Sequence, residues 1–192
     1  MSHKNIEIEA KFKVKNIKLL NDWLKKNGSL VSHNQVIDIY FTPVHRDFLQ
    51  CQYPFEWLRL RDEQGKFSIN YKHWYPENTA KSTHCDEFEN SIGSLEQLAK
   101  IFQVLNFKKI ATVDKYRENY KVGVFQFSVD RVKDLGDFLE IEYYGKGGNI
   151  EKVNKKMEEF YQCLSQCLDE RNYRGYPYLI LEKNGLLPKL GK

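Results

Sequence analysis

Apolar and polar residues alternate one by one over eight stretches of the chain, near residues 4–14, 34–41, 55–62, 66–74, 83–90, 109–121, 124–132 and 137–144. This is the two-residue period of a half-buried β-strand. Gln64-Gly65 and Val122-Gly123 are hairpin-sized steps between neighbouring stretches and favour sequential antiparallel pairing. A longer period, with apolar residues three and four apart, predicts three helices. They cover 16–27 (Ile17, Leu20, Trp23, Leu24, stopped by Gly28), 94–105 (Leu95, Leu98, Ile101, Phe102, Leu105) and 149–168 (Met157, Phe160, Tyr161, Leu164). A short fourth helix fits 176–187. An even set of antiparallel strands can close on itself, so the pattern predicts an α+β, mainly β fold: a closed eight-stranded antiparallel β-barrel with helices packed outside.

The polar face of these strands is unusual. Ile6 to Phe12 reads Ile-Glu-Ile-Glu-Ala-Lys-Phe, and Leu58-Arg59-Leu60-Arg61, Tyr71-Lys72, Glu87-Phe88-Glu89, Lys115-Tyr116-Arg117 and Leu139-Glu140-Ile141-Glu142 repeat the device with acids or bases. Side chains alternate across a strand, so helices covering the apolar face from outside leave the charged face pointing inward. The barrel then becomes a wet, charged tunnel. One such pair is what any solvated antiparallel sheet shows. Six or more such strands, several with paired like charges, are harder to explain that way, because like charges two apart on one face repel and a plain surface mixes its signs.

Composition narrows the classes. At 192 residues and 22.9 kDa, with 41% apolar and 29% charged residues, the chain is expected to form one domain over 1–192 rather than a disordered polymer. Its net charge of +4 is interleaved rather than gathered in a block, so no nucleic-acid partner is expected. No window holds the roughly 18 to 20 apolar residues of a membrane span, and the polar start lacks a signal-peptide core, so no membrane partner and a cytoplasmic protein are expected. Cys51, Cys85, Cys163 and Cys167 show no CxxC spacing and read as reduced thiols, the last two sharing a helix face.

One choice of face collects the acids Glu7, Glu9, Glu87, Glu89, Asp130, Glu140 and Glu142 with the bases Lys11, Arg59, Arg61, Lys72, Lys115 and Arg117. Carboxylates are hard oxygen ligands suited to Mg²⁺ or Mn²⁺, and arginine forks with lysine point charges suit phosphate oxygens. A polyphosphate with its metal presents both kinds of partner.

These residues resemble the CYTH superfamily, or triphosphate tunnel metalloenzymes, whose members include class IV adenylyl cyclases and thiamine triphosphatases. Glu7, Glu9 and Lys11 match the ExExK strand that is the family's signature. Gln35, Asp38, Tyr40 and Phe41 resemble its Q-x-x-D-x-Y-F strand, and Arg59 with Arg61 its arginine strand. Lys72, Lys115 with Arg117, Asp130, and Glu140 with Glu142 follow in order, and the runs Leu135–Glu142 and Tyr173–Leu181 resemble the cyclase branch. The resemblance implies phosphate binding by Arg59, Arg61, Lys72, Lys115 and Arg117, and divalent-cation binding by Glu7, Glu9, Asp130, Glu140 and Glu142. It gives Glu9 and Lys11 a catalytic part, and leaves Glu87 and Glu89 as a second acid pair. Thr83 and His84 stand where the family commonly has an arginine, and the 42–54 connection matches nothing in it.

The expected function is metal-dependent chemistry on a small triphosphate. A class IV adenylyl cyclase would convert ATP to cyclic AMP and pyrophosphate, whereas a triphosphatase would hydrolyse inorganic, thiamine or nucleoside triphosphate. A cyclase needs adenine at a tunnel mouth, with Tyr71 and Trp74 as candidates. Lys11 could act as a base only if neighbouring cations lowered its pKa. A non-catalytic nucleotide or polyphosphate sensor is the alternative from another class, though carboxylates impair anion binding unless a metal lies between. Self-association into a homodimer is left open.

Overall fold

A computed structural model describes residues 6–145 and 149–187; residues 4 and 5 of the first expected strand lie outside them. Ten strands form one antiparallel sheet: β1 (Ile6–Glu7), β2 (Glu9–Val14), β3 (Ser29–Pro43), β4 (Glu56–Glu63), β5 (Lys66–Tyr75), β6 (His84–Ile92), β7 (Phe107–Val122), β8 (Phe125–Val132), β9 (Gly136–Tyr143) and β10 (Leu168–Asn172). Four helices accompany it: α1 (Ile17–Asn27), α2 (Leu95–Val104), α3 (Ile150–Leu164) and α4 (Tyr176–Lys183).

The hydrogen-bonded order is β1-β6-β5-β4-β3-β7-β8-β9-β2-β10. The first expected strand is thus two, broken at Ile8: Glu7 pairs with Cys85 on β6, and Glu9 pairs with Glu142 on β9. β1 and β2 are one residue apart in sequence, so one short segment borders β6 through Glu7 and β9 through Glu9, while the hydrogen-bonded order itself runs open from β1 to β10. The count differs from the eight closed strands expected because of this break and because α3 stops at Leu164, leaving Leu168–Asn172 to pair with β2. Cys163 is consequently exposed on α3 while Cys167 is buried just beyond it, so the two thiols do not share a helix face.

The hairpins fall where expected. Gln64 and Gly65 both have positive φ, 52° and 83°, the backbone that a two-residue type I′ turn demands. Each of the first three helices starts with a side-chain cap, Asn16 on α1, Ser94 on α2 and Asn149 on α3, accepting from the backbone N–H three residues on.

The apolar outer face is covered as the alternation requires. Phe12, Phe127, Leu139 and Ile141 on the strands pack with Leu20 and Leu24 of α1 and Met157 of α3, while α2 sets Phe102 on Phe41 and Leu60. Each of these large side chains adds roughly 1.5–3 kcal/mol by its burial. The fourth helix departs from the expectation. Tyr176, Tyr178 and Leu181 of α4 pack on Tyr40, Trp57, Val113, Val132 and Phe138, which share the inward face with the charged residues. α4 therefore covers one end of the cavity instead of the outside of the sheet.

Candidate active site

Directly opposed residues of an antiparallel pair share a face, and the register threads one continuous inward row around the sheet. Asp38 opposes Arg61, Trp57 opposes Lys72, Lys72 opposes Glu87, Glu9 opposes Glu142, Lys11 opposes Glu140 and Arg117 opposes Asp130. All the expected acids and bases fall on this row, and all but Asp130 line one cavity of about 290 Å³. That is close to the lower limit for small-molecule sites.

Charge is sorted within the cavity. On the β3–β4 side Asp38, fully buried, accepts from Arg61 Nε at 2.7 Å and Nη2 at 2.9 Å, with Arg59 at 3.6 Å. Against the opposing effect of burial, the Arg59 and Arg61 cations hold its carboxyl well below the usual range. On β7–β8, Asp130 is equally buried and accepts from Lys115 Nζ at 3.0 Å, from Arg117 Nε at 2.6 Å and from the Tyr176 hydroxyl at 2.8 Å. Glu140 bridges Arg117 and, at 3.1 Å, Lys11.

On the other side four carboxylates crowd a single ammonium. Lys72 Nζ lies 2.5 Å from Glu7, 3.3 Å from Glu9 and 3.6 Å from Glu87, while Glu142 directly opposes Glu9 in the register. Burial, joined by the charges of Glu9 and Glu87 and opposed by Lys72, pushes Glu142 up to about 7. Burial likewise drives Glu7 well above its ordinary value despite Lys72, with Glu9, Glu142 and Glu87 adding to the rise.

The expected cation ligands are thus divided. Asp130 and Glu140 have their oxygens taken by lysine, arginine and tyrosine, whereas Glu7, Glu9, Glu87 and Glu142 share Lys72; against burial it holds Glu9 and Glu87 below their ordinary value but leaves Glu7 and Glu142 above theirs. Among the described residues no three acidic, histidine or cysteine side chains form a preset metal cage; the ammonium of Lys72 sits at the centre of the acids instead. Their hard oxygens are the donor type that Mg²⁺ or Mn²⁺ takes, and the raised pKa values of Glu7 and Glu142 register unmet demand for positive charge. Glu89, by contrast, is exposed and held by Ser68 Oγ at 2.9 Å.

For Lys11, the carboxylates of Glu140 and Glu9 outweigh the effect of burial and hold the ammonium above its ordinary value, so at neutral pH it is a cation and not a base. Burial and the adjacent Arg117 bring Lys115 down to about 8. Arg59 Nε is buried without a hydrogen-bond partner among the described residues. A buried unpaired donor on a cation marks room for an anion.

A smaller recess of about 60 Å³ adjoins the cavity and shares Glu9, Lys11, Trp57, Trp74 and Gly175 with it. Tyr53, Phe55, Tyr173, Tyr178, Arg171 and Arg174 complete an aromatic and basic rim. Trp74 lies where a tunnel-mouth aromatic was expected. Tyr71 does not: it is one residue out of phase with Lys72 and faces outward, its hydroxyl donating to Glu56 at 2.5 Å and its ring stacked on Phe88. Period-two arithmetic could have excluded it. Tyr176 was not singled out as a site residue, since no strand pattern reaches it; Asp38 was not either, although it stands in phase with Tyr40 on the motif strand, because its place opposite Arg61 is set by the strand register.

A curled antiparallel sheet whose interior is lined by acids and bases from nearly every strand defines a class, and a model of the CYTH domain matches residues 5–172. The chain belongs to the CYTH family. It is 34% identical over 160 residues, covering 83% of this chain and 87% of the relative, to a Methanocaldococcus jannaschii protein named "Putative adenylate cyclase MJ0240". The PH1819 protein of Pyrococcus horikoshii superposes with a TM-score of 0.79 at 27% identity, covering 92% of this chain and 99% of that one. A Hippeastrum protein, "Putative adenylyl cyclase HpAC1", described as having a dominant triphosphatase activity, shares the fold with a TM-score of 0.62 at 19% identity, covering 96% and 98% of the two chains.

Proposed function

We propose that the protein is a metal-dependent enzyme acting on a triphosphate that carries an aromatic head group, and that it converts ATP to cyclic AMP and pyrophosphate. The observation that carries this reading is the sorting of charge inside one cavity. A row of buried cations, one with an unpaired donor, faces a group of carboxylates of which two, Glu7 and Glu142, are short of positive charge. The two halves are complementary to a polyphosphate and to its cation.

Arg59, Arg61, Lys72, Lys115 and Arg117 bind the phosphate oxygens in this reading, and Lys11 stays protonated and adds its charge to theirs. Asp38 and Asp130 hold the arginines in place, so little reorganisation is needed when negative charge builds up on the phosphorus being attacked. Glu7, Glu9, Glu87 and Glu142 would hold one or two divalent cations, Mg²⁺ or Mn²⁺, which supply charge neutralisation on the phosphate and polarise its oxygens.

The aromatic rim is the support for an organic head group. Trp57 and Trp74 form the shared wall between rim and cavity, so a ring resting on them leaves its phosphates among the cations. The recess is too small to enclose a purine, which would lie partly outside it. Hydrolysis by water is the second reading, favoured by the fact that the cation row needs no head group to bind a triphosphate.

³¹P NMR of the protein with Mg²⁺ or Mn²⁺ and, in turn, ATP, inorganic triphosphate and thiamine triphosphate tests both readings, with Glu9→Gln as control. Pyrophosphate and cyclic AMP from ATP support the cyclase, and orthophosphate from any of the three supports the hydrolase. Turnover that survives Glu9→Gln undiminished, or no turnover with tight anion binding, removes the metal-dependent enzyme and leaves a binding protein.

A further inference from the structure

We infer that Tyr176, at the start of α4, is a positioning residue for the phosphate-binding wall, fixing Lys11 and Lys115 with its ring and Arg117 through Asp130. This rests on the triphosphate reading above and extends it to an element that no strand pattern reaches.

Tyr176 is 3% exposed and lines the cavity. Its ring has the ammonium of Lys11 4.1 Å from the centroid and that of Lys115 4.8 Å from it. Two buried ammonium groups around one ring repel each other, and a π-face offsets that repulsion without using either of them as a hydrogen-bond donor. The hydroxyl donates to Asp130 Oδ2, an oxygen that already accepts from Lys115 and Arg117. With the bond from Arg117 Nε to Oδ1, four hydrogen bonds converge on this carboxylate, three of them on Oδ2. The tyrosine thus takes a share of the Asp130 charge, leaving Lys115 and Arg117 more of theirs for an anion in the cavity. Phe138 packs edge-on at 5.2 Å and sets the ring's plane, and Leu181 one helical turn further on anchors α4.

A tyrosine that merely fills space makes a different prediction. Packing alone is satisfied by phenylalanine, and loss of packing anywhere on α4 then acts alike. Three variants separate these cases: Tyr176→Phe removes only the hydroxyl, Tyr176→Leu removes hydroxyl and ring, and Leu181→Ala loosens the same helix away from the charged wall. Each is measured for Tm, for binding of inorganic triphosphate with Mg²⁺ by calorimetry, and for kcat and KM with ATP.

The expected result is a weakening of triphosphate binding by about tenfold in Tyr176→Phe and about a hundredfold in Tyr176→Leu. KM should rise more than kcat falls. Leu181→Ala should lower Tm and leave the affinity of the folded protein near that of wild type. Binding by Tyr176→Phe equal to wild type, or a loss in Leu181→Ala matching that in Tyr176→Leu, overturns the inference; should Tyr176→Leu fail to fold, Tyr176→Phe decides. A wild-type protein that neither binds nor converts any triphosphate overturns instead the reading of the site on which the inference rests.

Discussion

Asp38 and Asp130 on one side of the cavity and Glu7 and the half-buried Glu142 on the other are carboxylates on inward-facing strand positions, yet their surroundings shift them in opposite directions. Burial penalises the charge of all four. For Asp38 and Asp130 the adjoining arginines and Lys115 overcome that penalty and hold the carboxyls below their ordinary value. For Glu7 and Glu142 the single ammonium of Lys72, shared with Glu9 and Glu87, does not overcome it, and both are raised. A buried acid in this cavity is thus held ionised or pushed towards protonation according to the ratio of charges around it. Residue type and strand position do not distinguish the two. In the first set the protein supplies the positive partner; in the second it comes up short.

Removing a member of the first set should give the largest effect. Asp130→Asn leaves Lys115 and Arg117 buried with Glu140 and, for Lys115, Asp38 to offset them, and breaking such a network typically costs 3–5 kcal/mol. For a chain of this length that lowers Tm by roughly 10 °C or more, read by calorimetry or thermal circular dichroism. Glu7→Gln, an equally conservative change at another buried site, should leave Tm unchanged or raise it in the presence of a chelator. Equal losses in the two variants would erase the distinction between the sets.

The second prediction concerns pH and is measured with EDTA present. Glu142 has an ordinary value of 4.5 and a folded value of about 7. Below about 4.5 it holds its proton whether the chain is folded or not, and costs nothing. Between 4.5 and 7 only the folded state keeps the proton, so stability falls as pH rises, and above about 7 the full cost stands. Glu142→Gln should therefore stabilise the metal-free protein at pH 8, by something of the order of 2 kcal/mol, and have almost no effect near pH 4.5. Added Mg²⁺ or Mn²⁺ should stabilise wild type more at pH 8 than at pH 6, and the variant less than wild type at either.

How much of this was legible follows from what a period of two can carry. Alternation gave the inward row, because parity alone decides which of Lys115, Tyr116 and Arg117 points inside. Parity cannot say that Glu9 lies opposite Glu142 while Lys11 lies opposite Glu140, since that depends on how β2 slides against β9. The division of the acids hangs on this register. Asp130 and Glu142 look alike in sequence and differ only in what the neighbouring strands place beside them. The short strand β10 and the inward packing of α4 were illegible for another reason: their residues owe their positions to contacts with distant strands, such as Leu168 with Val14 and Tyr176 with Asp130.

The smallest expected effect probes the rim, where the comparison of charges gives way to one of substrates. Trp74 lines both the aromatic recess and the charged cavity, and its ring lies 5.8 Å from Lys72 Nζ. Trp74→Leu keeps an apolar side chain and removes the flat face. If that face supports the ring of a nucleotide, the loss is about 1–2 kcal/mol of stacking, so KM for ATP should rise roughly tenfold while KM for inorganic triphosphate moves by about twofold or less. If Trp74 acts instead by steadying Lys72 among Glu7, Glu9 and Glu87, both substrates should suffer alike, because the ammonium serves the phosphates and not the head group. Steady-state kinetics on the two substrates with one variant therefore tells whether the aromatic rim reads the substrate or only braces the charged wall behind it.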